Sequence, residues 1–434
     1  MMDGKPALLG GKPVRTSAIP WTSTMGDEEL HAVVEVIKSG TLSAFLANSG
    51  EKFLGGARVK ELENAFCKRF GAKYAISVNS ATTALHTAVA ACGIGPGDEV
   101  IVSPYTMTAS ASAILMNCAV PIFADLDPYT YTIAPEKIEA LITPRTKAIL
   151  TVNIFGLPSY LPEIVGIAKK HGLRVIEDNA QSPGATIDGK EAGTFGDIGV
   201  FSLNYHKIIH SGEGGVLLTD DEELAYRCQL VRNHGEVALD ELGDMDTVAL
   251  GSNYRMSELH AVIGTEQLKK LDGFLKKRRA LAEKITQGLR EFEGLQGVTV
   301  PKGYTHSYYV YPIRYDSEPW GMQRGTFAMA MKAEGFPVGE GYVKPIYLMN
   351  LYQHQRVFNS SQYPFAFIGH PVQKYEKGIC PVVEDLHDRT LLTADICREP
   401  FTEENIDEFM EAVRKIWNHR EQLSVYEENY LSGA

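Results

Sequence analysis

"FSLNYHKIIHSGEGGVLLT" (Phe201–Thr219) sets two apolar runs on either side of a loop rich in glycine and histidine. The flanking runs, 198–202 (IGVFS) and 215–219 (GVLLT), read as buried strands: they are short, apolar and bounded by turn residues. Lys207 stands between them. A lysine is rarely placed among buried strands without a partner or a task.

Upstream, short apolar runs recur at 74–78, 99–103, 120–126, 147–152 and 173–178. Helical patterns such as TTALHTAVAACGI and YLPEIVGIAKKHG separate most of them. Apolar strands joined by crossover helices predict an α/β fold with a mostly parallel seven-stranded sheet covered on both faces. The glycine-rich loop joins its last two strands directly, which predicts one antiparallel pairing at the sheet edge. Past Thr219, DDEELAYRCQLVRNHG reads as a helix opened by acidic residues. A long amphipathic pattern from Met256 is expected to break near Asp272–Gly273. Residues 307–315 (SYYVYPIRY) read as a strand, residues 350–380 as irregular, and TEENIDEFMEAVRKIWNH as a capped terminal helix. At 434 residues the chain exceeds one hydrophobic core. The expected division is 1–270, a large domain with an N-terminal arm, and 271–434, a smaller C-terminal α+β domain.

A formal charge of -12 argues against a nucleic-acid binder, since no basic run neutralises phosphates. The six cysteines are scattered with no CxxC pair and no zinc spacing, so reduced buried thiols and no metal are expected. No signal-peptide core is visible, and no apolar stretch approaches the roughly 18 residues of a membrane span. A soluble cytoplasmic protein is the default expectation.

In an open α/β sheet, ligands bind at the carboxyl ends of the strands. Ser80, Ala81 and Thr82 follow the strand 74–78 and open a helix. Free N–H groups there would hold a phosphate; ordinary N-capping by Ser80 explains the same residues. Asp178 ends another buried strand, where a carboxylate needs a cation or strong donors. It fits a helix cap or structural ion pair, and equally an anion that holds a proton on a ring nitrogen, with Gln181 donating to a ring oxygen. With phosphate at the helix opening and a pyridinium at Asp178, Lys207 would reach an aldehyde, and Ser202 would add a second hydroxyl for the phosphate. That set describes pyridoxal 5′-phosphate, whose protonated ring withdraws electrons from the substrate carbon.

Five blocks in order, NSATTALHTAVAACGIGPGDEVIVSPYT, VIEDNAQS, FSLNYHKIIHSGEGG, RNHG and GSNYRMSELHAVIGTEQLKKLD, resemble the DegT/DnrJ/EryC1/StrS aminotransferases. The resemblance implies a fold of the aspartate aminotransferase type (pyridoxal-phosphate fold type I) and a homodimer with shared sites. It implies transfer of an amino group from glutamate or glutamine to a keto-sugar, often nucleotide-linked, or to a cyclitol ketone, by a ping-pong mechanism. By position, Lys207 matches the lysine that bonds the cofactor, Asp178 the partner of its ring nitrogen, and Gln181 the residue near its ring hydroxyl. Ala81, Thr82 and Ser202 match phosphate contacts, and Asn253 a residue that reaches the phosphate in the neighbouring subunit.

Two departures stand out. Where family members carry an aromatic residue over the cofactor ring, this chain reads YTM, so either Met107 or the nearby Tyr105 covers it. His206 precedes the lysine where small residues are frequent; His206 and His210 either face substrate or are satisfied loop histidines. Lys344 and Tyr347 fall where relatives have a substrate-lining loop, with ordinary packing as the other explanation. Relatives with histidine in place of the lysine are sugar dehydratases; retention of Lys207 favours transamination over that alternative, and over a non-catalytic regulatory protein on the same fold.

Overall fold

The computed structural model describes residues 4–20, 22–46, 50–238, 245–358, 362–366 and 373–432. Its centre is a seven-stranded sheet: β1 (Tyr74–Val78), β2 (Glu99–Val102), β3 (Val120–Phe123), β4 (Thr146–Val152), β5 (Arg174–Asp178), β6 (Ile198–Ser202) and β7 (Gly215–Thr219). The order is β1-β7-β6-β5-β4-β2-β3. Most of their residues are buried, as expected of strands covered on both faces. Each fully buried Ile, Val or Leu contributes about 1.5–3 kcal/mol through area removed from water.

The last strand departs from the expected topology. β7 is antiparallel to β6 and also to β1, so it lies inside the sheet and β1 forms the edge. Six strands therefore point the same way, and their carboxyl ends share one rim. Three further expectations are corrected. The helix Glu258–Leu289 runs unbroken through Asp272–Gly273. A helical glycine costs about 1 kcal/mol, and the buried Leu271 and Leu275 outweigh it. The strand near 307–315 is limited to Tyr311–Tyr315, because Tyr308 takes a left-handed φ of 50°. The capped helix Glu403–Asn418 does open with Thr402 bonded to Asn405, but the helix Arg420–Ser432 follows it.

The helices of eight or more residues are α1 (Asp27–Ser39), α2 (Ala57–Phe70), α3 (Ala81–Ala91), α4 (Ala109–Met116), α5 (Leu161–His171), α6 (Glu222–Arg232), α7 (Glu258–Leu289), α8 (Arg324–Ala333), α9 (Glu403–Asn418) and α10 (Arg420–Ser432). Asp221 caps α6, accepting from Glu223 N and Leu224 N, which explains the acidic opening read in the sequence. The first half of α7 packs on α1 and α2; its second half joins β8 (Leu295–Gly297) and α9. The second, smaller sheet is antiparallel throughout, with β8 beside β9 (Tyr311–Tyr315), then β11 (Leu391–Ala394), then β10 (Gly339–Glu340). It shares its own apolar core with α8 and α9. The N-terminal arm is tied to this unit by Glu334, fully buried, which accepts from Ala7 N (2.8 Å), Val14 N (2.9 Å) and Lys415 Nζ (2.9 Å).

Candidate active site

The shared rim places the predicted residues through register alone. Val78 and Ser202 both pair with Gly215, so the ends of β1 and β6 lie in one row across β7. A Cβ at Gly215 would come within 2.5 Å of the Ser80 carbonyl oxygen and 2.8 Å of Ala81 N, so only glycine lets β7 pass this close to the start of α3. Ser202 is thereby set beside that helix opening. Ser80 does act as the N-cap, accepting from Thr83 N at 3.1 Å. Capping leaves work undone: the N–H groups of Ala81 and Thr82 have no acceptor among the described residues, and the Thr82 side chain is exposed. A helix opening with free N–H groups and two nearby hydroxyls is the donor set an anionic phosphate requires.

Asp178 ends β5, where it pairs with Val152 and Val200. It is 5% exposed. Oδ2 accepts from Ser110 Oγ at 2.7 Å and Oδ1 from Ala180 N at 3.2 Å. Burial pushes this carboxyl upward; the Ser110 hydroxyl, the Ala180 N–H and the Lys207 charge oppose that rise. Its neighbour Glu177 points to the opposite face of the sheet, as strand alternation requires. That carboxylate is saturated by Gly193 N (2.6 Å), Phe195 N (2.7 Å), Gly196 N (2.7 Å) and Asn153 Nδ2 (3.4 Å). Glu177 is thus a structural group, and Asp178 faces the rim. Gln181 is fixed from both ends: Oε1 accepts from Phe155 N at 2.8 Å, and Nε2 donates to the Tyr342 hydroxyl at 3.1 Å.

Lys207 rides a pinned loop. Leu203 bonds Gly214 and Ser211 through the backbone, and Asn204 Nδ2 donates to both oxygens of Glu213 at 2.9 and 3.0 Å. Gly212, at φ +85°, makes the turn that closes it. The Lys207 ammonium lies 4.6 Å from the centre of the Tyr309 ring. Burial lowers its pKa to about 8, against the opposing charge of Asp178. A cavity of about 400 Å³ opens beside the amine, walled by the N-terminal arm, the middle of α7 and the Tyr309 segment.

The remaining candidates separate. His206 lines this cavity, exposed, its ring 5.1 Å from Tyr205 and 6.3 Å from Tyr309; burial first and the Lys207 charge second lower its pKa. His210 is a bonded loop histidine. Glu29 Oε1 accepts from Gln267 Nε2, and Gln267 Oε1 accepts from the Thr24 hydroxyl, so Thr24 Oγ1 accepts from His210 Nε2 at 3.1 Å. Met107 is 57% exposed at the rim, free to lie on a ring. Tyr105 and Tyr347 are both fully buried. The Tyr105 hydroxyl accepts from Tyr342 N at 2.7 Å, and the Tyr347 hydroxyl donates to Glu384. Lys344 is exposed. The Asn253 side chain is exposed, and its carbonyl accepts from Asn79 Nδ2 at 3.4 Å, next to the opening of α3. Sequence reading missed Ser110, Tyr309 and Tyr342, which reach the site from distant segments with no motif to announce them.

The model of the DegT/DnrJ/EryC1/StrS aminotransferase family matches residues 23–367. An L-glutamine:2-deoxy-scyllo-inosose aminotransferase of Streptoalloteichus tenebrarius is 33% identical over 437 residues, covering 96% of this chain and 98% of that protein. The spore coat polysaccharide biosynthesis protein SpsC of Bacillus subtilis is 34% identical, covering 81% of this chain and 90% of its own. Among solved structures, an aminotransferase from Psychrobacter cryohalolentis superposes with a TM-score of 0.80 at 30% identity, over 93% of this chain and all (100%) of the other.

Proposed function

As the chain belongs to the DegT/DnrJ/EryC1/StrS aminotransferase family, whose members depend on pyridoxal 5′-phosphate, we propose that it moves an amino group from glutamate or glutamine to the ketone carbon of a keto-sugar or cyclitol, in two half-reactions. The observation that carries the reading is the convergence on one rim of an amine (Lys207), a buried carboxylate (Asp178) and an unsatisfied helix opening (Ala81, Thr82).

Pyridoxal phosphate, when bound, supplies an electron sink that stabilises negative charge on the carbon bearing the amino group. The chain's residues do the rest. Ala81 and Thr82 N–H, with the Thr82 and Ser202 hydroxyls, hold the phosphate. Asp178 keeps a proton on the ring nitrogen. Gln181, oriented by Phe155 and Tyr342, faces the ring hydroxyl, and Met107 covers a ring face. Lys207 takes the proton from the donor's α-carbon and returns it as the amino group moves. With a pKa of about 8, about a tenth of that amine is unprotonated at pH 7, against roughly one part in three thousand at the ordinary 10.5.

The near full-length similarity to a cyclitol aminotransferase supports a cyclitol acceptor, and the glutamine in its name supports glutamine as donor. GDP-perosamine synthase of Caulobacter vibrioides, 40% identical over 60% of this chain and 69% of its own, keeps nucleotide-linked keto-sugars as the other acceptor class. We read the working unit as a homodimer in which Asn253 serves the neighbouring site, with units 1–270 and 271–434 in each protomer. Six free cysteines support a reducing, cytoplasmic setting. The test is spectroscopic: the cofactor band should bleach with glutamine or glutamate and recover when a ketone acceptor is added, with the aminated product found by mass spectrometry. Recovery with a deoxygenated product, or no bleaching with any amino acid, would refute it.

A further inference from the structure

The cavity beside Lys207 carries a charge that no carboxylate of the described residues pairs and that no role assigned above uses. Arg278, on the inner face of α7, lines it and is 7% exposed. The other arginine and lysine of the wall beyond Lys207 each have a carboxylate: Lys277 bonds Glu399 at 2.5 Å and Arg398 bonds Asp395 at 2.8 Å. Arg278 has none among the described residues. Only its Nη1 is engaged, donating to the carbonyls of Tyr308 (2.7 Å) and Tyr309 (3.5 Å). Nε and Nη2 have no acceptor among the described residues. Burial lowers its pKa to about 10, which still leaves it protonated at neutral pH.

A guanidinium seated in a largely buried wall, with two donor groups free to face the cavity, is a ready partner for an anion. The fork of Nε and Nη2 matches a planar carboxylate. Its position selects which one. Tyr309 gives its carbonyl to Arg278 and its ring to the Lys207 ammonium, so both cations are seated on one residue of one cavity. The volume, about 400 Å³, is within the usual range for a small-molecule pocket and suits an amino acid. We propose that Arg278 receives a carboxylate of the amino donor, and of the oxo acid that leaves, in the cavity beside Lys207. This rests on the aminotransferase reading above.

The test uses the holoenzyme and its Arg278→Met and Arg278→Lys variants. Bleaching of the cofactor band is followed in single turnovers against glutamate, glutamine and alanine. The expected result for Arg278→Met is a half-saturating donor concentration raised tenfold to a hundredfold, with the limiting rate within about threefold of wild type. Arg278→Lys should recover part of the loss. An equal loss for all three donors identifies the α-carboxylate; a loss confined to glutamate identifies the side-chain carboxylate. A folded, cofactor-loaded variant with unchanged half-saturation would overturn the assignment while leaving the aminotransferase reading intact. Wild-type protein that responds to no amino acid would overturn both. Glutarate and its uncharged diamide, tested as inhibitors of the wild-type half-reaction, need no variant: a tenfold or greater preference for glutarate is expected, and equal inhibition would overturn the proposal.

Discussion

Replacing Ser110 by alanine tests the tuning of the ring partner without touching any group proposed to meet the cofactor. The Ser110 hydroxyl gives Asp178 its shortest hydrogen bond, 2.7 Å, and the carboxylate keeps only the 3.2 Å bond from Ala180 N once it is gone. A hydrogen bond to a charged buried group is worth about 1.5–3 kcal/mol, or about tenfold to a hundredfold in an equilibrium. The sign follows from the causes of the shift. Burial raises Asp178 and Ser110 opposes it, so the variant's carboxyl titrates at higher pH than the wild type's. Asp178 must be ionised to hold a proton on the ring nitrogen. The acid limb of the donor half-reaction should therefore move to higher pH, and cofactor affinity at neutral pH should fall by about tenfold or more. Stopped-flow bleaching across pH 5–9, with cofactor titration at each pH, measures both. An unmoved acid limb in a variant that binds cofactor normally would refute the role given to Asp178.

Other outcomes follow from the same geometry. Gly215→Ala must displace backbone at the start of α3, so cofactor affinity should drop at least tenfold, read by equilibrium dialysis, with a stability loss of about 1–3 kcal/mol. In cofactor-free protein, the rate at which Lys207 captures the cofactor should rise with pH through a midpoint near pH 8; in Asp178→Asn the midpoint should move lower, because the Asp178 charge raises the lysine's pKa. Glu334→Ala strands three donors, the Lys415 ammonium among them, and should cost about 3–5 kcal/mol in chemical denaturation while leaving cofactor spectra of the folded fraction unchanged.

The strands and their rim were legible because each is a short apolar run between turn residues, and Lys207 and Asp178 stood out as candidates because charged residues at or near such strand ends need a reason. The place of β7 was not: pairing with β1 joins segments more than a hundred residues apart, and local pattern carries no information on it. The unbroken α7 shows packing overriding propensity at Gly273. Tyr105 and Tyr347 show that a tyrosine near a site reads alike whether its hydroxyl meets a ligand or bonds a backbone N–H or a glutamate. Ser110, Tyr309, Tyr342 and Arg278 enter the site through long-range contacts, so only three-dimensional structure reveals them.

The most direct check is reductive trapping. Borohydride treatment of the yellow holoenzyme, followed by peptide mass mapping, should leave the reduced cofactor on the peptide carrying Lys207 and leave the other lysines unlabelled. Label on a different lysine, or none on a protein that is visibly yellow, would contradict the site described above.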